Sequence, residues 1–151
     1  MYPLDDIDRQ IINKIQSNFP TDKEPFKKIA QSLNLSSDIV IQKIRKMKEN
    51  NIIRRIGGNF SPDKIGYKST LCAAKVPEEK IESFTRVVNS FPGVTHNYIR
   101  AHEYNIWFTF IAQSNEIINR SLEKITKETG INNILNLPAT HLFKVSAQFK
   151  V

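Results

Sequence analysis

The chain has 151 residues, 40% of them hydrophobic and 25% charged, with a formal net charge of +7 at neutral pH. These are globular values for a chain long enough to bury a real core, with nothing that suggests disorder and no low-complexity tract or internal repeat in the sequence; the single Cys72 excludes an internal disulfide framework and a Cys-based zinc site. There is no basic, apolar-cored leader and no apolar run approaching the ~20 residues of a membrane span, so the expectation is a soluble cytoplasmic chain whose basic excess, spread over both halves, suits an acidic partner such as nucleic acid or a small polycarboxylate.

From the N-terminus, Leu4, Ile7, Ile11, Ile15 and Phe19 recur at steps of three and four around an acidic first turn of Asp5, Asp6 and Asp8, which predicts a first helix ending near Pro20. Pro25 suits a helix start, and Phe26, Ile29, Ala30 and Leu33 predict a short second helix. After a turn at Asn34-Leu35, Ser36 or Ser37 can cap a third helix lined by Val40, Ile44 and Met47, with Lys43, Arg45, Lys46 and Lys48 on its outer side. Asn51 to Phe60 reads as a short strand and wing. Residues 1–60 are therefore expected to form a winged helix-turn-helix domain, which by itself points either to DNA binding through the third helix or to a packing and dimerisation module.

Ser61 to Tyr67 is turn-rich and marks a boundary. In residues 61–151 the pattern predicts a strand over 69–76, a helix over 77–91 with Ile81, Phe84 and Val88 on one side, a Pro92-Gly93 turn and a β-hairpin. A helix capped by Ser114 or Asn115 follows, carrying Ile118, Leu122 and Ile125 and stopped by Gly130, and then a last strand over 137–149. That order is the ferredoxin-like βαββαβ plan, so the fold class is α+β.

The hairpin, residues 93–109, concentrates the chemistry, with His96, Tyr98, Arg100, His102, Tyr104 and the only tryptophan, Trp107. Alternation places Val94, His96, Tyr98 and Arg100 on one face and Thr95, Asn97 and Ile99 on the other, while Ile106, Phe108 and Phe110 oppose Asn105, Trp107 and Thr109. Imidazole, phenol and guanidinium in a row are poorly suited to burial against helices. One face of the sheet is expected to be oily and the other chemically equipped.

In the order of its parts the chain resembles the Lrp/AsnC family of transcription regulators, whose second domain senses small ligands and forms dimers. In wording it is similar to a branch with that architecture, the siroheme decarboxylases. The match rests on Glu24-Pro25-Phe26, Ile53-Arg54-Arg55-Ile56-Gly57, Lys68-Ser69-Thr70-Leu71, the run from Pro92 to Arg100, the run from Tyr104 to Thr109, and Leu137-Pro138-Ala139; Gly58 departs from the alanine of that branch. The likeness is to the smaller-subunit type that works with a homologous partner in alternative haem or haem d1 pathways.

The resemblance implies loss of CO2 from two acetate side chains of siroheme, giving 12,18-didecarboxysiroheme, with no separate cofactor and with the iron belonging to the substrate. It implies active-site histidines on a sheet that a dimer brings face to face. His96 and His102 match, as proton donor to the ring system or as ligand of the substrate's iron, with His96 expected to be the more buried and His102 nearer the rim. Arg54, Arg55 and Arg100 would clamp carboxylates, and Tyr98, Trp107 and Phe108 would wall the cavity.

Read as residues alone, Trp107 and Phe108 serve equally as core, Arg54 and Arg55 as wing residues on DNA phosphates, and Cys72 as core, while His141 is a lesser candidate for the pocket. The implied partners are siroheme and a homologous subunit, as a heterodimer with a homodimer left open; neither DNA nor membrane is expected. The alternative is a ligand-sensing Lrp/AsnC-type DNA-binding regulator.

Overall fold

The computed structural model describes residues 2–58, 60–144, 148, 149 and 151. They group into two compact units, one of Met1–Gly58 with Lys144–Val151 and one of Asn59–Phe143. The C-terminal stretch, expected in the second domain, thus groups with the helices.

In the helical unit, α1 spans Asp6–Ile15, α2 Pro25–Ser32 and α3 Ser37–Glu49. Their starts follow from local chemistry. Asp5 and Asp8 form a reciprocal capping box on α1, Pro25 opens α2, and the Ser36 hydroxyl accepts from the Ile39 N–H to cap α3. Asn34, at φ 55°, makes the left-handed turn between α2 and α3 that Asn tolerates. Ile11, Ile29, Val40, Ile44 and Met47 close the core.

Lys43 departs from the expected outer face of α3. Its ammonium turns inward to pair with Asp5 and, at 3.4 Å, with Asp8, which is fully buried and also accepts from the Tyr2 hydroxyl at 3.3 Å. The strand expected over 51–60 does not form among the described residues: Asn51 turns the chain at φ 58°, and the segment that follows finds no returning strand to pair with.

The second unit carries β1 (Lys68–Ala74), α4 (Ile81–Asn89), β2 (Val94–Ile99), β3 (Ile106–Ala112), α5 (Asn115–Thr129) and β4 (Ile134–Leu137). All pairings are antiparallel and the strand order is β2-β3-β1-β4, the ferredoxin-like arrangement. Phe84 and Val88 of α4 and Ile118, Leu122 and Ile125 of α5 pack on one sheet face against Cys72, Ile106, Phe108 and Phe110, with Phe84 and Phe108 edge to face at 6.4 Å. The opposite face stays open and includes Leu71, Leu135 and Leu137.

The last strand is not where alternation put it. β4 ends at Leu137, where the expected strand began, because Pro138 has no N–H with which to continue the ladder to β1. Among the described residues of 138–149 there is no strand, and Val145 and Ala147 of that expectation lie outside the described residues. Phe149 instead exchanges main-chain hydrogen bonds with the side-chain amide of Gln16 on α1, at 2.8 and 2.9 Å.

Candidate active site

The site is built on the β2–β3 hairpin, whose start is fixed by Gly93. Its carbonyl accepts from Ile111 at 2.8 Å, and a Cβ there would lie 2.4 Å from the Ile111 oxygen, so only glycine lets the strands approach. Val94 stands opposite Phe110 on the helix-covered side. The register then shifts by one residue, so that His96 faces Thr109 and Tyr98 faces Trp107. This β-bulge corrects the strict alternation read from the sequence: Val94 packs against the core while His96 and Tyr98 share the open face. Their rings stack at 6.1 Å with an interplanar angle of 29°. The alternation of β3 is as expected, with Ile106, Phe108 and Phe110 buried and Trp107 and Thr109 half-buried on the other side.

Beyond β2 the chain folds into a tight loop that carries the remaining polar groups. The Arg100 N–H donates to the Asn105 carbonyl at 2.8 Å, and the His102 N–H to the Arg100 carbonyl at 3.0 Å. The Tyr104 N–H donates to His102 Nδ1 at 3.1 Å, and Trp107 Nε1–H donates to the Tyr104 carbonyl at 2.6 Å. Trp107 is the hub. The Arg100 guanidinium carbon lies 5.7 Å from its ring centre, in cation–π range, and His102 meets it edge-on at 6.4 Å while stacking on Tyr104 at 6.4 Å.

The loop is also tied down from outside. Lys75 and Glu103 form an ion pair at 2.6 Å, which holds the Glu103 carboxyl below and the Lys75 ammonium above their usual ranges. Among the described residues Arg100 forms no ion pair with a carboxylate.

Five of the sequence-derived candidates therefore separate from the three others and from His141. His96, Tyr98, Arg100, His102 and Trp107 converge on one hairpin. Phe108, adjacent to Trp107, is 0% exposed in the helix-side core and cannot wall a cavity on the open face, because neighbouring strand residues point to opposite sides. Both histidines are exposed in the single chain.

Arg54 and Arg55 belong to the helical unit. They are exposed and border an apolar pocket of about 670 Å³ lined by Ile12, Ile15, Phe19, Ile53 and Ile56, with Phe149. His141 follows β4 with its ring against Phe143 at 4.6 Å. Cys72 is core, and burial pushes its thiol up to about 12. Thr95 and Asn105 were not singled out from sequence, and Tyr104 was counted only among the hairpin's chemical groups; their contributions run through main chain or local side-chain bonds that no pattern announces.

Among the described residues no three His, Cys, Asp or Glu side chains converge as a metal site. Among the described residues no helix is long and apolar enough to cross a membrane.

Residues 8–54 match the siroheme decarboxylase NirDL-like HTH domain, and residues 64–144 match the AsnC-like ligand binding domain. The chain is 48% identical to the siroheme decarboxylase alpha subunit of Desulfovibrio desulfuricans over 98% of its own length and 85% of that relative. The chain belongs to the siroheme decarboxylase family. Membership extends to known structures: the crystal structure of the siroheme decarboxylase NirDL superposes with a TM-score of 0.69 at 32% identity, covering 95% of this chain and 47% of that one. A second crystal structure, of NirDL in co-complex with an iron-uroporphyrin III analogue, superposes at a TM-score of 0.66 with 30% identity, covering 91% of this chain and 47% of that one.

Proposed function

We propose that this chain is a siroheme decarboxylase subunit that converts siroheme to 12,18-didecarboxysiroheme. The observation that carries the reading is the convergence of His96, Tyr98, Arg100 and His102 with Trp107 on an open hairpin face, in a chain of this family. In each round the bond between an acetate's methylene and carboxyl carbons breaks and CO2 leaves. The electron pair stays with the methylene carbon, shared into the conjugated ring, and one added proton completes a methyl group. Two rounds consume two protons and release two CO2.

The chain's own groups suit that chemistry. Arg100, without a carboxylate partner among the described residues, is a candidate to hold a substrate carboxylate, as are Arg54 and Arg55. His96 and His102 are the candidate proton donors or iron ligands, and Tyr98 and Trp107 offer aromatic surface. No separate cofactor is required, since the iron arrives with the substrate, and the +7 charge attracts a polyanion. The subunit naming of the relatives supports work alongside a homologous chain, as a heterodimer with a homodimer as the alternative. The lone, buried Cys72 suits a cytoplasmic setting.

Anaerobic incubation with siroheme, with and without a homologous subunit, followed by mass spectrometry for loss of one or two CO2, tests the reading. Product from the chain alone means a self-sufficient enzyme, and product only with the partner means a shared site. No product under either condition, with salt-dependent binding to palindromic DNA instead, would return the chain to the regulators.

A further inference from the structure

The two hairpin histidines are held differently, and the difference decides what each ring can offer. A main-chain N–H can only donate. That of Tyr104 is directed at His102 Nδ1 at 3.1 Å, so Nδ1 is an acceptor without a proton, and the neutral ring carries its proton on Nε2. An Nε2–H has no lone pair for a metal. To ligate iron through Nε2, the ring would have to move its proton to Nδ1 and give up the Tyr104 bond.

His96 is under no such constraint. Its Nδ1 lies 3.1 Å from the Thr95 hydroxyl, a group that donates or accepts equally well, so a proton on Nδ1 is as acceptable as none and Nε2 can present a lone pair.

Resting on the reading of this hairpin as the siroheme site, the structure assigns His102 as a fixed Nε2–H donor toward a carboxylate of the substrate, and of the two hairpin histidines leaves iron ligation to His96. Tyr104, Trp107 and Asn105 are the positioning residues. Trp107 Nε1–H holds the Tyr104 carbonyl at 2.6 Å, and the Asn105 amide clasps Val76 in both directions, at 2.9 and 2.8 Å, anchoring the loop to the end of β1. The tautomer is thus set by main chain, and main chain is set by two side chains outside the ring itself.

The experiment has two readouts. Long-range 1H–15N correlation spectra of the ligand-free, 15N-labelled chain at about pH 8, where a histidine is mostly neutral, are expected to show His102 as the Nε2-protonated tautomer, with its signals assigned by their loss in His102→Gln. Trp107→Phe, which removes the indole donor, is expected to turn the His102 pattern into a tautomer average. A His102 protonated on Nδ1, or already averaged in the wild-type chain, overturns the assignment whether or not siroheme binds.

With ferric siroheme, the axial-ligand signature in absorption and paramagnetic resonance is expected to be the same in His102→Ala as in the wild-type chain. Affinity should fall about 10- to 100-fold in His102→Ala and recover largely in His102→Gln, whose amide can donate. A changed axial signature in His102→Ala overturns the assignment. A chain that binds no siroheme sinks the substrate reading, while the tautomer spectrum still decides the state of His102.

Discussion

Asn105 and Val76 exchange a pair of hydrogen bonds, the Val76 N–H donating to Oδ1 at 2.9 Å and Nδ2–H donating to the Val76 carbonyl at 2.8 Å. A side chain here imitates the next rung of a sheet, past the point where β1 and β3 pair as strands. Asn105→Ala leaves both main-chain groups of a half-buried segment without partners. The expected cost is about 1–3 kcal/mol, read from urea denaturation, together with weaker siroheme binding through the loosened loop.

Trp107 and Phe108 are neighbours in sequence on opposite sides of the sheet, and their substitutions should separate stability from binding. Phe108→Ala opens a cavity against Phe84 and should cost ~3–5 kcal/mol. Trp107→Ala should cost less in denaturation while removing the surface shared by Arg100 and His102. Siroheme titration should find the larger defect in Trp107→Ala; equal binding by the two variants, compared where both are folded, would contradict the assignment of faces.

Gly93→Ala tests the hairpin entry. The added methyl would fall 2.4 Å from the Ile111 oxygen and 2.6 Å from Phe110 Cε1, so strand separation or ring displacement must follow. Overpacking of this kind costs roughly 1–3 kcal/mol. Gly57→Ala, with nothing within 4 Å of the added carbon, is the matched control and should leave the thermal midpoint almost unmoved.

The Asp5–Lys43–Asp8 cluster predicts an acid-sensitive helical unit. The Asp5 carboxyl is held below its ordinary range first by the Lys43 ammonium and then by the Asp8 N–H. A carboxyl depressed on folding contributes stability that is full above its unfolded value and lost as pH falls through its folded value. The thermal midpoint should therefore fall below about pH 4, and Asp5→Asn should flatten that limb. Lys43→Met, which strips the buried Asp8 of its cation, should destabilise at neutral pH by about 1–3 kcal/mol.

What was legible in the sequence follows from the range of the forces involved. The starts of α1, α2 and α3 are written in neighbouring residues, as Asp5 with Asp8, Pro25, and Ser36, and could be read without any partner. The placement of Val94 could not, because a bulge is a relation between two strands, and Thr95 looks like any other strand residue until β3 lies beside it. The alternation through His141, Phe143 and Phe149 was genuine as a pattern, but Pro138 closes the ladder to β1, and among the described residues the pattern forms no strand. Lys43 was counted as outer surface because spacing alone does not disclose that Asp5 and Asp8 wait across the helix pair. The candidate site was legible in composition, and its division of labour was not: the state of His102 depends on an amide two residues away.

The shift of register at the start of β2 makes the hairpin's chemistry a question of parity. Thr95 is a residue the ladder does not count. Its excision would straighten the strand and still leave His96 opposite Thr109 and Tyr98 opposite Trp107, at the loss of one hydroxyl beside the imidazole. One residue inserted between His96 and Tyr98 would divorce the two rings, sending one of them into the oil, although every side chain now present would still be there.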